Sequence, residues 1–296
     1  MQRTLTDTDW DTLLRRIESG KCTPFLGAGA AFGTLPLGRD IAEQWAARYE
    51  FPLGKEDSTD LMRVAQYLAV VRDAVFPKEE IAKQIRMVKP PDFDSKTEPH
   101  AVLADLELPV YITTNYDHFM TEALVSRKAK PKVEFCRWNK YVKDHPSVFD
   151  NAYEPDSSNP VVFHLHGEVS TPESIVLTED DYLDFLVNMA RDPVMLPPRI
   201  QRALTGSSLL FIGYRIADWD FRVLFRSLVG YLERALARGH FSVQIFPLGD
   251  TVEPALRQKA LEYLDEYFGK LETRVYWGTS QDFTIELRQR WEEFKK

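Results

Sequence analysis

Four strings in this chain carry side chains able to do chemistry, and each stands where an apolar run gives way to glycine or to polar residues. Gly27-Ala28-Gly29-Ala30 follows Phe25-Leu26. A Gly-x-Gly turn at a strand end brings backbone amides and a helix N-terminus close to an anion, which makes Gly27, Ala28, Gly29 and Ala30 candidate phosphate binders. Phe32 stands where a third glycine would complete the dinucleotide fingerprint, so a plain tight turn is an equal alternative. Thr113-Thr114-Asn115-Tyr116-Asp117 follows Val110-Tyr111-Ile112. Locally, Asp117 can cap a helix through Phe119, Met120, Ala123 and Leu124, while Asn115 forms an Asx-turn. A cap needs one such side chain, which leaves the other polar groups for a ligand.

The third string is Val161-Val162-Phe163-His164-Leu165-His166-Gly167. Residues two apart on a strand share a face, so His164 and His166 are expected to point the same way. Two histidines can ligate a metal, but no cysteine or third histidine nearby completes a set, and no metal is expected. His166, at the strand end before a glycine, is a candidate acid or base. The fourth string runs Leu209-Leu210-Phe211-Ile212-Gly213-Tyr214-Arg215. Either Gly213 gives a second close approach to ligand, with Tyr214 or Arg215 near a ribose or phosphate, or this is a βα turn capped by Asp218.

Positioning these strings requires strands, and seven are expected: 23–26, 110–113, 133–136, 161–166, 208–212, 242–246 and 273–276. Several are continuous apolar runs, as in strands buried on both faces. Helical periodicity lies between them, clearest from Asp218 and again at Phe283, Leu287, Trp291 and Phe294. The fold class expected is α/β: a Rossmann-like parallel sheet with helices on both faces and a helical insertion layer. The whole of 1–296 reads as a single domain. Segments 34–99 and 178–205 are helical insertions forming a small subdomain, and 240–296 adds strands and helices that complete the sheet. Thr178-Glu179-Asp180-Asp181 opens the second insertion with a capping-type start.

Acidic residues outnumber basic ones, 45 to 37, for a net charge of −8, which argues against a direct nucleic-acid partner. No apolar run is long enough to span a bilayer and the N-terminus has no leader pattern, so no membrane association and a cytoplasmic location are expected. Two cysteines, Cys22 and Cys136, make neither a disulfide framework nor a four-thiolate zinc site.

Taken in order, the four strings resemble the sirtuin superfamily, which carries Gly-Ala-Gly at the first strand end, Thr-Gln-Asn-Ile-Asp at the catalytic strand, His-Gly at the next, and a later glycine-centred cofactor turn. The forms Thr113-Thr114-Asn115-Tyr116-Asp117 and Ile212-Gly213-Tyr214 with Asp218-Trp219 resemble the sirtuin-like NAD hydrolases of bacterial anti-phage defence more than the protein deacylases. Deacylases hold a structural zinc with four cysteines, which this chain lacks, so acyl-lysine recognition is not expected.

The resemblance implies an NAD+ glycohydrolase that cleaves the nicotinamide–ribose bond, with NAD as substrate. Asn115 would orient water or ribose hydroxyls, His166 would accept a proton, and Asp117 would position the ribose or nicotinamide side. Gly27 to Ala30, Thr113, Thr114, Gly213, Tyr214 and Arg215 would contact the dinucleotide. An unrestrained enzyme of this kind would kill its host, as in abortive infection. Activation in trans is therefore expected, by homo-oligomer assembly or by a defence-system partner such as an ATPase, a nuclease-like protein or a nucleotide-processing protein. The alternative is a subunit that senses NAD or an ADP-ribose derivative without cleaving it.

Overall fold

The computed structural model describes residues 5–191, 195–214, 239–246 and 253–296. Seven strands are present: β1 (Cys22–Leu26), β2 (Val110–Thr113), β3 (Lys132–Phe135), β4 (Val161–His164), β5 (Ser208–Ile212), β6 (His240–Gln244) and β7 (Thr273–Trp277). All pair in parallel, in the order β3-β4-β2-β1-β5-β6-β7. The strands coincide with the seven apolar runs of the sequence, with shifts at their ends. β3 starts one residue early and β6 two, and β4 stops at His164. The five strands β1, β2, β4, β5 and β6 are buried along their whole length. Apolar runs suit burial on both faces, although β6 also buries His240, Ser242 and Gln244.

Side chains alternate between two cores. Leu26, Tyr111, Val162, Leu210 and Ile212 face one side, packed with residues of α1 (Asp7–Glu18), α5 (Pro99–Ala104), α6 (Phe119–Ser126) and α10 (Ser280–Phe294). Phe25, Ile112, Phe163, Leu209 and Phe211 face the other, under α7 (Glu179–Arg191) and α8 (Pro198–Gly206). A third core joins α2 (Gly38–Arg48), α3 (Leu61–Val71) and α4 (Phe76–Arg86) through Trp45, Leu68 and Ile81, and includes Ile175 and Leu177 just before α7. Beyond β6, α9 (Pro254–Gly269) packs Leu261 and Phe268 against Trp277 of β7.

The start of α7 is tied to this helical layer. Thr178 Oγ1 accepts from the Asp181 amide (3.1 Å), and Asp181 Oδ2 accepts from the Thr178 amide (3.0 Å), the reciprocal cap that the sequence predicts. The other Asp181 oxygen receives the buried Lys78 ammonium of α4 at 2.8 Å. Gln66 of α3 donates to Asp180 at 2.7 Å and accepts from its amide at 3.0 Å. Among the described residues, no helix is long and apolar enough to cross a membrane.

Candidate active site

β1 and β5 are neighbours whose chains leave in opposite directions, β1 toward β2 and β5 toward β6. Ligands of open α/β sheets bind outside such a switch point. The Gly27 and Gly213 turns meet there. The Gly27 amide donates to the Ile212 carbonyl and the Gly29 amide to the Gly213 carbonyl, each at 2.9 Å. Gly213 lies at φ +85°, and a Cβ on it would fall 2.3 Å from the Ala30 nitrogen and 2.6 Å from the Gly27 oxygen. These glycines are explained first by two backbones packed against each other. The expectation that the Gly27 to Ala30 amides jointly face a phosphate is corrected: those of Gly27, Gly29 and Ala30 donate to protein carbonyls. Ala28, the exposed residue of the turn, is left as its donor for a ligand.

The polar string after β2 closes onto the same place. Asn115 Nδ2 donates to the Gly27 carbonyl (3.1 Å), and the Asn115 amide donates to Thr113 Oγ1 (2.9 Å). The expected Asx-turn does not form, because the side chain reaches across to β1. A carbonyl only accepts, so Nδ2 is fixed on Gly27 and Oδ1 is the group Asn115 can turn toward a ligand. Thr114 Oγ1 and the Tyr214 hydroxyl lie 2.8 Å apart, and Tyr214 donates to the Leu26 carbonyl, also at 2.8 Å. Burial raises the pKa of that phenol. Tyr214 therefore braces the ends of β1, β2 and β5. Arg215 and the helix expected from Asp218 lie outside the described residues.

Asp117 Oδ1 accepts from the Phe119 amide at 2.9 Å, an Asx-turn leading into α6; the N-cap is His118, so the expected Asp117 cap does not form, and the buried Asp117 Oδ2 has no partner. The histidine string departs from strand periodicity. The His164 ring, on the face of Val162, meets the Asn115 carbonyl (Nδ1 to O, 3.0 Å) and stands 5.8 Å from the His118 ring. Gly167, at φ +82°, turns the chain sharply, and a Cβ there would sit 2.2 Å from the Ser174 oxygen. His166 is thereby carried to the opposite face, where its ring packs edge-on to Phe185 (5.0 Å) and Tyr182 (5.3 Å) of α7. The expectation that both imidazoles point the same way fails because the strand ends between them. Burial lowers the His166 pKa to about 3, so its ring is neutral throughout the physiological range.

The backbones of the two motifs remain side by side beyond the strands. The Leu165 amide donates to Thr113 (2.8 Å) and the Val169 amide to Tyr116 (3.0 Å), which brackets Asn115 and His166 between paired rungs. Sequence reasoning missed a second link here. His118 Nε2 pairs with Glu168 Oε2 at 2.8 Å, each residue just past one of the motifs. The Glu168 hydrogen bond raises the His118 pKa. Burial would raise that of Glu168, but hydrogen bonds from His118, the Ser170 amide and Thr171 outweigh it and hold the carboxyl at about 2. Among the described residues, no group of three or more His, Cys, Asp or Glu side chains is arranged to hold a metal.

Comparison with known proteins places this arrangement. Residues 109–266, more than half of the chain, match the SIR2-like domain. NAD(+) hydrolase ThsA of Enterococcus faecium is 24% identical over 77% of this chain and 44% of its own length. NAD(+) hydrolase ThsA of Acinetobacter baumannii (strain 532279) is 25% identical over 70% of this chain and 39% of its own. That of Bacillus cereus (strain MSX-D12) is 25% identical over 59% and 34%. The chain thus spans less than half the length of these curated relatives. A solved chain from work titled "Structural Basis for the Mechanism and Regulation of Sir2 Enzymes" aligns over 98% of this chain and 99% of its own, at 11% identity and a TM-score of 0.43. With the Thr113–Asp117 string, His166-Gly167 and the Gly213 turn all inside the matched span, the chain belongs to the family of SIR2-like domains.

Proposed function

We propose that the protein hydrolyses NAD at the bond between nicotinamide and ribose. The observation that carries this reading is Asn115: its amide nitrogen is fixed on the Gly27 carbonyl beside the switch point, in a chain whose matched relatives are NAD(+) hydrolases. The glycosidic nitrogen of NAD belongs to a pyridinium. When the C1′–N bond breaks, its electron pair returns to the ring and nicotinamide leaves neutral, without the general acid that an alkoxide leaving group requires. The remaining tasks are to hold the ribose, steady an oxocarbenium-like centre and deliver water to C1′. Asn115 Oδ1 accepts a hydrogen bond from the water or a ribose hydroxyl. His166, held neutral by burial, is the acceptor for the proton that the attacking water releases; at a pKa of about 3 it is a weak base as it stands under the α7 aromatics. The products are nicotinamide, ADP-ribose and one proton. Asp117 orients the nicotinamide side with its unpartnered oxygen, and Ala28 offers its amide to the pyrophosphate.

Release of nicotinamide and ADP-ribose from NAD, followed by chromatography, tests this. Asn115→Ala and His166→Ala are each expected to abolish release while leaving the circular dichroism spectrum unchanged. Activity persisting in both variants would falsify the assignment. A second reading, NAD binding without cleavage, is favoured by the aromatic cover over His166. Its mark is calorimetric binding of NAD with no nicotinamide released under any condition of activation.

The biological setting belongs to the same proposal. The protein is an NAD-depleting effector of anti-phage defence acting in the cytoplasm, and its activity is switched on by self-assembly or by a partner protein. Segments 34–99 and 178–205 act as a small subdomain beside the sheet. The chained contacts from α3 and α4 to α7, and from α7 to His166, support that role.

A further inference from the structure

His164 is the most deeply buried imidazole of the chain's centre, 0% exposed, and the hydrolytic chemistry proposed above has no use for it. Its surroundings are specific. Nδ1 lies 3.0 Å from the Asn115 carbonyl oxygen. That oxygen can only accept, so Nδ1 carries the proton and Nε2 is a bare lone pair with no partner. A buried acceptor left unmatched is costly, so the ring's contribution comes from its other nitrogen. Asn115 is otherwise held by its own strand, through Thr113 Oγ1, and by β1, through the Gly27 carbonyl. The bond from His164 is the tie to β4, the strand that also delivers His166.

The arrangement is closed from both sides. His118, which follows the Asn115 string, stands edge-on to His164 and pairs with Glu168, which follows His166. The Glu168 amide in turn donates to Ser174 Oγ at 3.0 Å. The two post-strand segments are thus joined twice, by His164 to Asn115 and by Glu168 to His118.

We infer that His164 is a positioning residue: its Nδ1–H, donated to the Asn115 carbonyl, sets the Asn115 amide relative to His166 without touching substrate. This inference rests on the hydrolase reading for its kinetic consequence, and on geometry alone for its structural one. A displacement of about an ångström at a group that orients a reactant costs up to about a hundredfold in rate.

The test compares His164→Asn, whose amide nitrogen falls at the Nδ1 position, with His164→Gln, which carries the same amide one methylene further. The expected result is a kcat for nicotinamide release within about threefold of wild type in H164N, and lowered at least about tenfold in H164Q. KM for NAD should change less than about threefold in either variant. The Asn115 side-chain amide signals, assigned by their loss in Asn115→Ala, should keep their wild-type positions in H164N and shift in H164Q. Equal kcat in the two variants, or signals unmoved in both, overturns the inference. A wild-type protein that releases no nicotinamide under any condition of activation sinks the hydrolase reading instead, and the amide signals still decide the role of His164.

Discussion

Asn115 is held at its amide, its carbonyl and its side-chain nitrogen, by three different strands or strand ends. The sequence made the polar string after β2 legible as a site, because four polar side chains exceed what a helix cap uses. It did not make legible which atoms stay open. The glycine turn illustrates this: a Gly-x-Gly pattern reads as a phosphate cradle, yet its amides are largely engaged by the neighbouring turn, a contact between residues far apart in the chain. Gly213→Ala should therefore act through stability, by at least about 2 kcal/mol in urea denaturation, since it combines a left-handed φ with an overlap on Ala30. A fully stable G213A would contradict the packing described.

The His118–Glu168 pair has a defined pH signature. His118 has a raised pKa when folded, so its contribution is complete below the unfolded value of about 6.5 and fades as pH rises through the folded value. Glu168 is lowered to about 2, so its contribution is complete above about 4.5 and is lost as pH falls toward 2. Both hold between about pH 4.5 and 6.5, with Asp117, Glu122 and His164 as the other titratable neighbours of His118. The stability gap between wild type and Glu168→Gln should be largest near pH 5.5 and narrow by pH 9. A gap that widens with pH would reject the pair. His166 gives a separate expectation: with a pKa of about 3, it leaves no inflection near 6.5 in the pH profile of kcat/KM.

At the scale of elements, all seven strands were legible: five are buried along their whole length, and the part-exposed edge strands β3 and β7 still carry β-branched and aromatic residues. Their ends were not, because strand termination depends on cross-strand rungs and turns. β4 is the consequential case. Its apolar pattern runs on to Leu165, whose amide still bonds Thr113, but the chain turns where the Gly167 amide donates to the His164 carbonyl, and His166 changes face. The cap of α7 was legible locally as Thr178 and Asp181, whereas its partner Lys78, about a hundred residues away, was not. Lys78 lies 5.1 Å from the Trp138 ring as well as on Asp181. Replacing one member of a buried ion pair strands the other, so Lys78→Met should lower stability by about 3 kcal/mol. Lys78→Met with Asp181→Leu should recover part of that loss in a double-mutant cycle, and strict additivity would show the two groups to be uncoupled.

For the whole molecule, the α/β alternation and the helical layer followed from periodicity, while the layer's attachment to α7 came from contacts no local pattern encodes. The net charge of −8 has a consequence for the proposed substrate, whose pyrophosphate carries two negative charges against one positive charge on the pyridinium. Long-range repulsion is screened beyond about 8 Å at physiological salt, so raising ionic strength from low values should leave KM for NAD unchanged or lower it. A steep rise in KM with salt would instead reveal a local cationic steering surface.

The interlock of the two glycine turns also limits how this protein can breathe. Strands β1 and β5 are pinned at their outlets with no space for a single extra carbon, so the middle of the sheet cannot part like the pages of a book. Any widening that admits a bulky guest must come from the surrounding rim, where α7 rests on Lys78 and Gln66. Hydrogen exchange should accordingly find the outlets of β1 and β5 among the last amides to exchange.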